Sequence, residues 1–153
     1  MIFTAKMPSP IGEITLQATE DGLCYVGFHP IYKEVIGSNR HLMQGMTELK
    51  EYFNGRRFEF EVKLDVKGTV FQQSVWKILS TIPYGQTYSY GWIANKLNNP
   101  KAVRAVGAAN GKNPISFIVP CHRIIGANGT LTGYAGGISA KAWLLEHERE
   151  RHH

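Results

Sequence analysis

Cysteine is scarce in this chain: Cys24 and Cys121 are the only two among 153 residues. Two thiols are too few for a disulfide framework and suit a reducing compartment, so the expected location is the cytoplasm. No run is long and apolar enough to span a membrane, and no charged start leads into an apolar segment with a small-residue cleavage site. Neither a membrane protein nor a secreted one is expected. Carboxylates are missing from one long stretch, with none between Val66 and Leu145. Residues 1–68 carry 8 Lys/Arg against 9 Asp/Glu, a net of −1, whereas residues 69–153 carry 9 against 3, a net of +6. Cations without anions are what a polyanion-binding surface requires, because carboxylates repel phosphates. A merely basic domain has the same composition, and charge alone leaves the two readings level. Internal repeats and low-complexity tracts are absent too.

What is present supports a packed core, with 43% hydrophobic residues. The length fits one domain or two small ones. Ile2–Lys6, Ile11–Ala18 and Leu23–Phe28 read as strands, with Ile14, Leu16 and Ala18 at the two-residue period. A helix is expected from Arg40 to Phe53, on the spacing of Leu42, Met46, Leu49 and Phe53, stopped by Asn54-Gly55. One more strand is expected over Phe58–Val62. From Val70 the texture changes to short helices. Phe71–Leu79 is the first, broken by Pro83-Tyr84-Gly85. Tyr90–Leu97 follows, with Ser89 as N-cap. A third is expected from Pro100 to Gly111, with Asn99 at its N-cap. The last two suggest a helix-turn-helix, although helical hairpins are common in proteins that never meet DNA.

On the third helix, Ala102, Val103 and Val106 form an apolar back, while Lys101, Arg104, Gly107 and Ala108 fall on the front. Such a front admits a phosphate-lined surface, and it equally suits a tightly packed helix pair. A strand over Ile115–Val119 is expected to deliver Pro120-Cys121-His122-Arg123. Asn128-Gly129 marks a tight turn between Ile124-Ile125 and Leu131, and Tyr134 to Gly137 reads as a flexible loop. Ser139 is expected to cap a final helix from Ala140 to about Arg149.

A proline-pinned thiol beside an imidazole and a cation is a natural place to raise thiolate population. Neighbouring side chains of an extended chain point to opposite faces, so His122 needs a bend or a water to reach Cys121. On the last helix, Glu148 falls in the stripe of Leu144 and Leu145, whereas Glu146 and Glu150 point away. An inward carboxylate must find a donor, and His122 is a candidate; a helix-end glutamate can also bend out to solvent.

The segments FQQSVWKILSTIPYGQTYSY, NPKAVRAVGAANGKNP, IVPCHRII, LTGYAGG and KAWLLEHE, in that order, resemble the O6-alkylguanine-DNA alkyltransferase family. The resemblance covers Phe71 to Glu148, about half the chain. It implies an α+β fold: a small ribonuclease H-like N-terminal α/β domain of antiparallel strands plus a helix (1–67), then a mostly helical, winged-helix-like domain with a helix-turn-helix (68–153). It implies a monomer that binds double-stranded DNA through the minor groove and flips out O6-methylguanine. The alkyl group would pass irreversibly to the protein's own cysteine in a single, self-inactivating turnover; O4-methylthymine stays open as a second substrate.

Cys121 matches the acceptor, and Glu148 and His122 match the residues that activate it through a water. Tyr90 matches a tyrosine that bonds guanine and helps turn the phosphate, Lys141 a lysine near the same site, and Asn113 a hinge asparagine. Arg104 matches the arginine that replaces the flipped base. Lys101, Gly107, Ala108 and Arg123 are counted with the DNA-contacting residues. Val119, Pro120, Tyr134, Ala135 and Gly136 are expected around the alkylguanine pocket. Some relatives carry a structural zinc; here Cys24 and His29, with His41 farther on, fall short of four ligands, so neither metal nor cofactor is expected. A cysteine hydrolase with a Cys-His-Glu triad and a lesion-binding protein without repair activity are the competing readings.

Overall fold

The computed structural model describes residues 2–33 and 37–151. The chain forms two compact units, Met1–Lys67 and Gly68–His153, in an α+β fold.

The first unit is an antiparallel sheet in the order β1 (Phe3–Met7), β2 (Ile14–Ala18), β3 (Leu23–Gly27), with helix α1 (Arg40–Phe53) against it. Ile14, Leu16 and Ala18 are buried as their alternation predicts, yet Thr15 and Gln17 between them are buried too. Gln17 is satisfied by donating to Thr4 Oγ1 at 3.2 Å and to Tyr32 O at 3.0 Å. Helix α1 has the expected bounds, with Asn39 capping Leu42 N at 2.9 Å and Gly55 leaving through a φ of 75°. Gly45 lets the helix lie close on the sheet, since a Cβ there would meet Leu23 Cδ1 at 2.8 Å.

The strand expected over Phe58–Val62 does not form. The N–H groups of Glu61 and Val62 donate instead to the buried Glu48 carboxylate, at 2.9 and 3.1 Å, leaving one bridge between Leu23 and Leu64. Cys24 packs in this core, and burial pushes its thiol up to about 11, which makes it unreactive.

The second unit holds α2 (Val70–Leu79), β4 (Tyr88–Ser89), α3 (Tyr90–Lys96), α4 (Val103–Gly111), β5 (Ile124–Ile125) and α5 (Ile138–Arg151). Helix α2 starts on a capping box in which Thr69 and Gln72 satisfy each other's backbone. Trp76 Nε1 donates to Ala109 O at 2.8 Å and ties α2 to α4. Ser89 caps α3 as expected, accepting from Trp92 N. Asn98, in the left-handed region at φ 57°, turns the chain towards α4.

Helix α4 begins later than the sequence suggests. Asn99 does not cap it; its carbonyl closes a turn with Ala102 N, and Pro100 lies outside the helix. Residues 99–102 are used instead in that turn, and the helix starts directly after it. Val103, expected on the apolar back, is 41% exposed, because the later start leaves it at the helix mouth.

Residues 115–119 form turns rather than a strand, with Phe117 at φ 72°, and Cys121–Arg123 is a single 3-10 turn. Gly126–Thr130 closes a tight turn, but β5 pairs in parallel with β4 rather than with Leu131. Ser139 lies inside the first turn of α5 instead of capping it. Among the described residues no helix is long and apolar enough to cross a membrane.

Candidate active site

The elements of the second unit bring Cys121, His122, Arg123, Lys141 and Glu148 into one buried cluster. The 3-10 turn places the thiol, while α5 supplies the lysine and the carboxylate. Glu148 is 1% exposed and His122 fully buried, with His122 Nε2 2.7 Å from Glu148 Oε2. Arg123 completes the group: its Nε and Nη2 donate to the two carboxylate oxygens at 2.8 and 3.0 Å, and Nη1 donates to Ile82 O at 2.7 Å. This fork is the strong geometry of an arginine–carboxylate pair. Arg123, expected to touch DNA, is therefore turned inward. The inward Glu148 carboxylate thus takes donors from both residues that follow Cys121, His122 and Arg123.

Burial pushes Glu148 up, but His122 and Arg123 outweigh it and hold the carboxyl well below the usual range. Burial pushes His122 down, and Arg123 and Lys141 add to that against the pull of Glu148. The imidazole is thus neutral beside an ionised carboxylate. Its Nε2–H donates to Glu148, which leaves Nδ1 as the basic nitrogen. Nδ1 is buried and has no hydrogen-bond partner among the described residues.

Cys121 is 6% exposed, and burial pushes its thiol up against the pull of Asn113, Lys141 and the local backbone. The resting sulfur is therefore a thiol, contrary to the expectation of a raised thiolate population; desolvation outweighs the nearby cation. The group can reach its nucleophilic form by giving its proton to a neighbouring base.

The thiol lies on the wall of a cavity of about 170 Å³, shared with Asn110, Gly111, Asn113, Ser116, Gly133, Tyr134 and Ala135. Tyr134 and Ala135 were expected there. Val119, Pro120 and Gly136, also expected there, are not on the wall: the first two are buried and the third is half-buried. Asn110, Gly111, Ser116 and Gly133 are additions. Asn110 lies four residues beyond Val106 on the buried side of α4, a spacing that periodicity offered.

Asn113 braces this wall: its Nδ2 donates to Val119 O at 2.8 Å and Ile115 O at 3.3 Å, and its Oδ1 accepts from Ile115 N at 3.0 Å. Lys141 is fully buried, with Nζ donating to Ile124 O at 2.5 Å, and burial pushes its pKa down. The hydroxyls of Tyr90 and Thr132 lie 2.6 Å apart. Lys101, expected on the helix front, is exposed in the turn before α4; Arg104 and Ala108 are exposed on the helix, and Gly107 is half-buried near the Tyr90 ring.

Residues 70–150 match a family model described as 6-O-methylguanine DNA methyltransferase, DNA binding domain, and residues 2–66 match the ribonuclease-like domain of the same description. The chain is 48% identical to the methylated-DNA–protein-cysteine methyltransferase of Methanosarcina acetivorans, over 96% of this chain and 98% of that protein. The crystal structure of the Mycobacterium tuberculosis O6-methylguanine methyltransferase matches with a TM-score of 0.90 at 47% identity, covering 99% of this chain and 94% of that one. Mycobacterium tuberculosis OGT in complex with DNA matches with a TM-score of 0.88 at 46% identity, covering 97% and 94%. With both halves matched and relatives of this identity along nearly its whole length, the chain belongs to the 6-O-methylguanine DNA methyltransferase family.

Proposed function

We propose that the protein repairs alkylated DNA by direct reversal, moving the alkyl group of O6-methylguanine onto its own Cys121 in one irreversible turnover. The observation that carries this reading is the buried Glu148–His122 pair next to a thiol on a cavity wall. His122 Nδ1 takes the thiol proton, directly or across one bridging water, while Glu148 stabilises the imidazolium that forms. The sulfur then attacks the methyl carbon in line. A C–S bond forms, the C–O6 bond breaks, and guanine leaves with its electron pair. Tyr90 donates to the departing base where charge develops. Guanine gains one proton in balance with the one His122 took from the thiol, which the imidazolium gives up as it returns to neutral. The thioether is stable and has no route back to a thiol, so the protein is spent.

The alkylated oxygen lies inside the base stack, so the base must be everted. The exposed Arg104 is suited to fill the gap it leaves. Lys101 contacts phosphate, and the small Gly107 and Ala108 let α4 approach a minor groove. In this reading the protein works as a cytoplasmic monomer on duplex DNA.

Incubation with duplex DNA carrying O6-methylguanine should add one methyl group to Cys121 and then stop, as read by intact mass and peptide mapping. Cys121→Ser should abolish transfer and keep DNA affinity. Repeated turnover per Cys121 would refute the single-use mechanism.

A further inference from the structure

Thr132 sits between two residues of the site and joins them. Its Oγ1 lies 2.6 Å from the Tyr90 hydroxyl on one side and 3.4 Å from Lys141 Nζ on the other. The ammonium also donates to Thr132 O at 3.4 Å and to Ile124 O at 2.5 Å, so the lysine is held in place by three acceptors. Thr132 adjoins Gly133, which lines the cavity beside Cys121. Tyr90 stands between that rim and α4, its ring 3.9 Å from where a Cβ on Gly107 would lie.

Hydroxyl groups donate and accept, so the direction of a hydroxyl chain is set by its ends. An ammonium is a donor only. With Lys141 donating into one of the two lone pairs of Thr132 Oγ1, the threonine proton remains available for the Tyr90 oxygen 2.6 Å away. In that orientation the phenol accepts from threonine and keeps its own proton for a third group. Bonds aligned in this way polarise one another.

We propose that Thr132 is a positioning residue: its hydroxyl accepts from Lys141 and donates to Tyr90, so that the phenol proton is held ready for the everted base. The inference rests on the alkyl-transfer reading and deepens it, because it assigns the direction of the donor that meets the leaving guanine. Valine at this position keeps the shape of threonine and removes the hydroxyl. The Tyr90 proton is then free to turn towards other acceptors.

The test is the single-turnover rate of Cys121 methylation on O6-methylguanine duplex at saturating protein. Thr132→Val should slow it about tenfold, the factor carried by one hydrogen bond. Thr132→Ser should restore it to within about threefold. In a Tyr90→Phe background, Thr132→Val should slow the reaction no further, because the phenol it acts through is gone. Affinity for unmodified duplex should be the same in wild type and Thr132→Val. A valine variant as fast as wild type, a serine variant as slow as valine, or full multiplication of the Tyr90→Phe and Thr132→Val losses would overturn the assignment. If wild type shows no methyl on Cys121 at all, the repair reading falls and takes this role with it; transfer without the expected pattern removes the role of Thr132 alone.

Discussion

Replacing Glu148 by glutamine keeps its shape and removes its charge, which strands the Arg123 guanidinium inside the second unit. Breaking a buried pair in this way costs about 3–5 kcal/mol, because the remaining charge has no water to return to. Glu148→Gln should therefore lower the urea midpoint strongly, and it should slow methylation of Cys121 as well, since His122 loses the carboxylate that supports its imidazolium. Wild type should also be sensitive to acid. The folded Glu148 pKa is depressed, so its contribution is present above the ordinary carboxylate value of 4.5 and is lost as pH falls towards the depressed one. The folded His122 pKa is lowered as well, so the unfolded chain gains a proton near 6.5 that the folded chain refuses. Both shifts run the same way. The thermal midpoint should fall steadily as pH drops below about 6.5, and a midpoint that is flat or rises down to pH 4 would contradict the burial of this pair.

Helices in the second unit are short, so their ends matter. Helix α2 has ten residues and begins on the Thr69–Gln72 capping box. Thr69→Ala should destabilise the protein by about 1 kcal/mol without touching the site, measurable in urea, with the methylation rate unchanged. The pairing of β4 with β5 has a direct consequence for chemistry. It ties Ser89, the N-cap of α3, to the chain that follows Cys121, and so sets Tyr90 near the thiol segment. The 3-10 turn matters in the same way. A strand running through Cys121 and His122 would have sent the two side chains to opposite faces; the turn lets the imidazole face α5 while the thiol meets the cavity.

The charge of the molecule is lopsided, with net +6 on residues 69–153 and −1 on residues 1–68. A surface that neutralises phosphates releases counterions, so DNA affinity should fall linearly as log Kd against log salt, with little dependence on base sequence. Binding to an unmodified duplex that is insensitive to salt between 50 and 200 mM, read by fluorescence anisotropy at roughly those concentrations, would remove the electrostatic footing of the DNA reading.

Much of this was legible in the chain alone. The bounds of α1, the Ser89 cap, the inward stripe of Glu148 and the acid-free half follow from local rules: periodicity, capping chemistry and charge counting act over a few residues. The motifs around Cys121 pointed to the family because five segments kept their order. The tertiary structure decided what local rules cannot reach. It turned Arg123 from a candidate DNA contact into the buried partner of Glu148, because a desolvated carboxylate takes every donor within range. It replaced the strand at 115–119 with turns and the strand at 58–62 with bonds to Glu48, because the acceptors came from distant elements. It kept Cys121 a thiol, because burial depends on everything packed around it. Residue type and spacing set which groups are available; only the assembled core settles which of them lose water, and that loss fixes their charge and their partners.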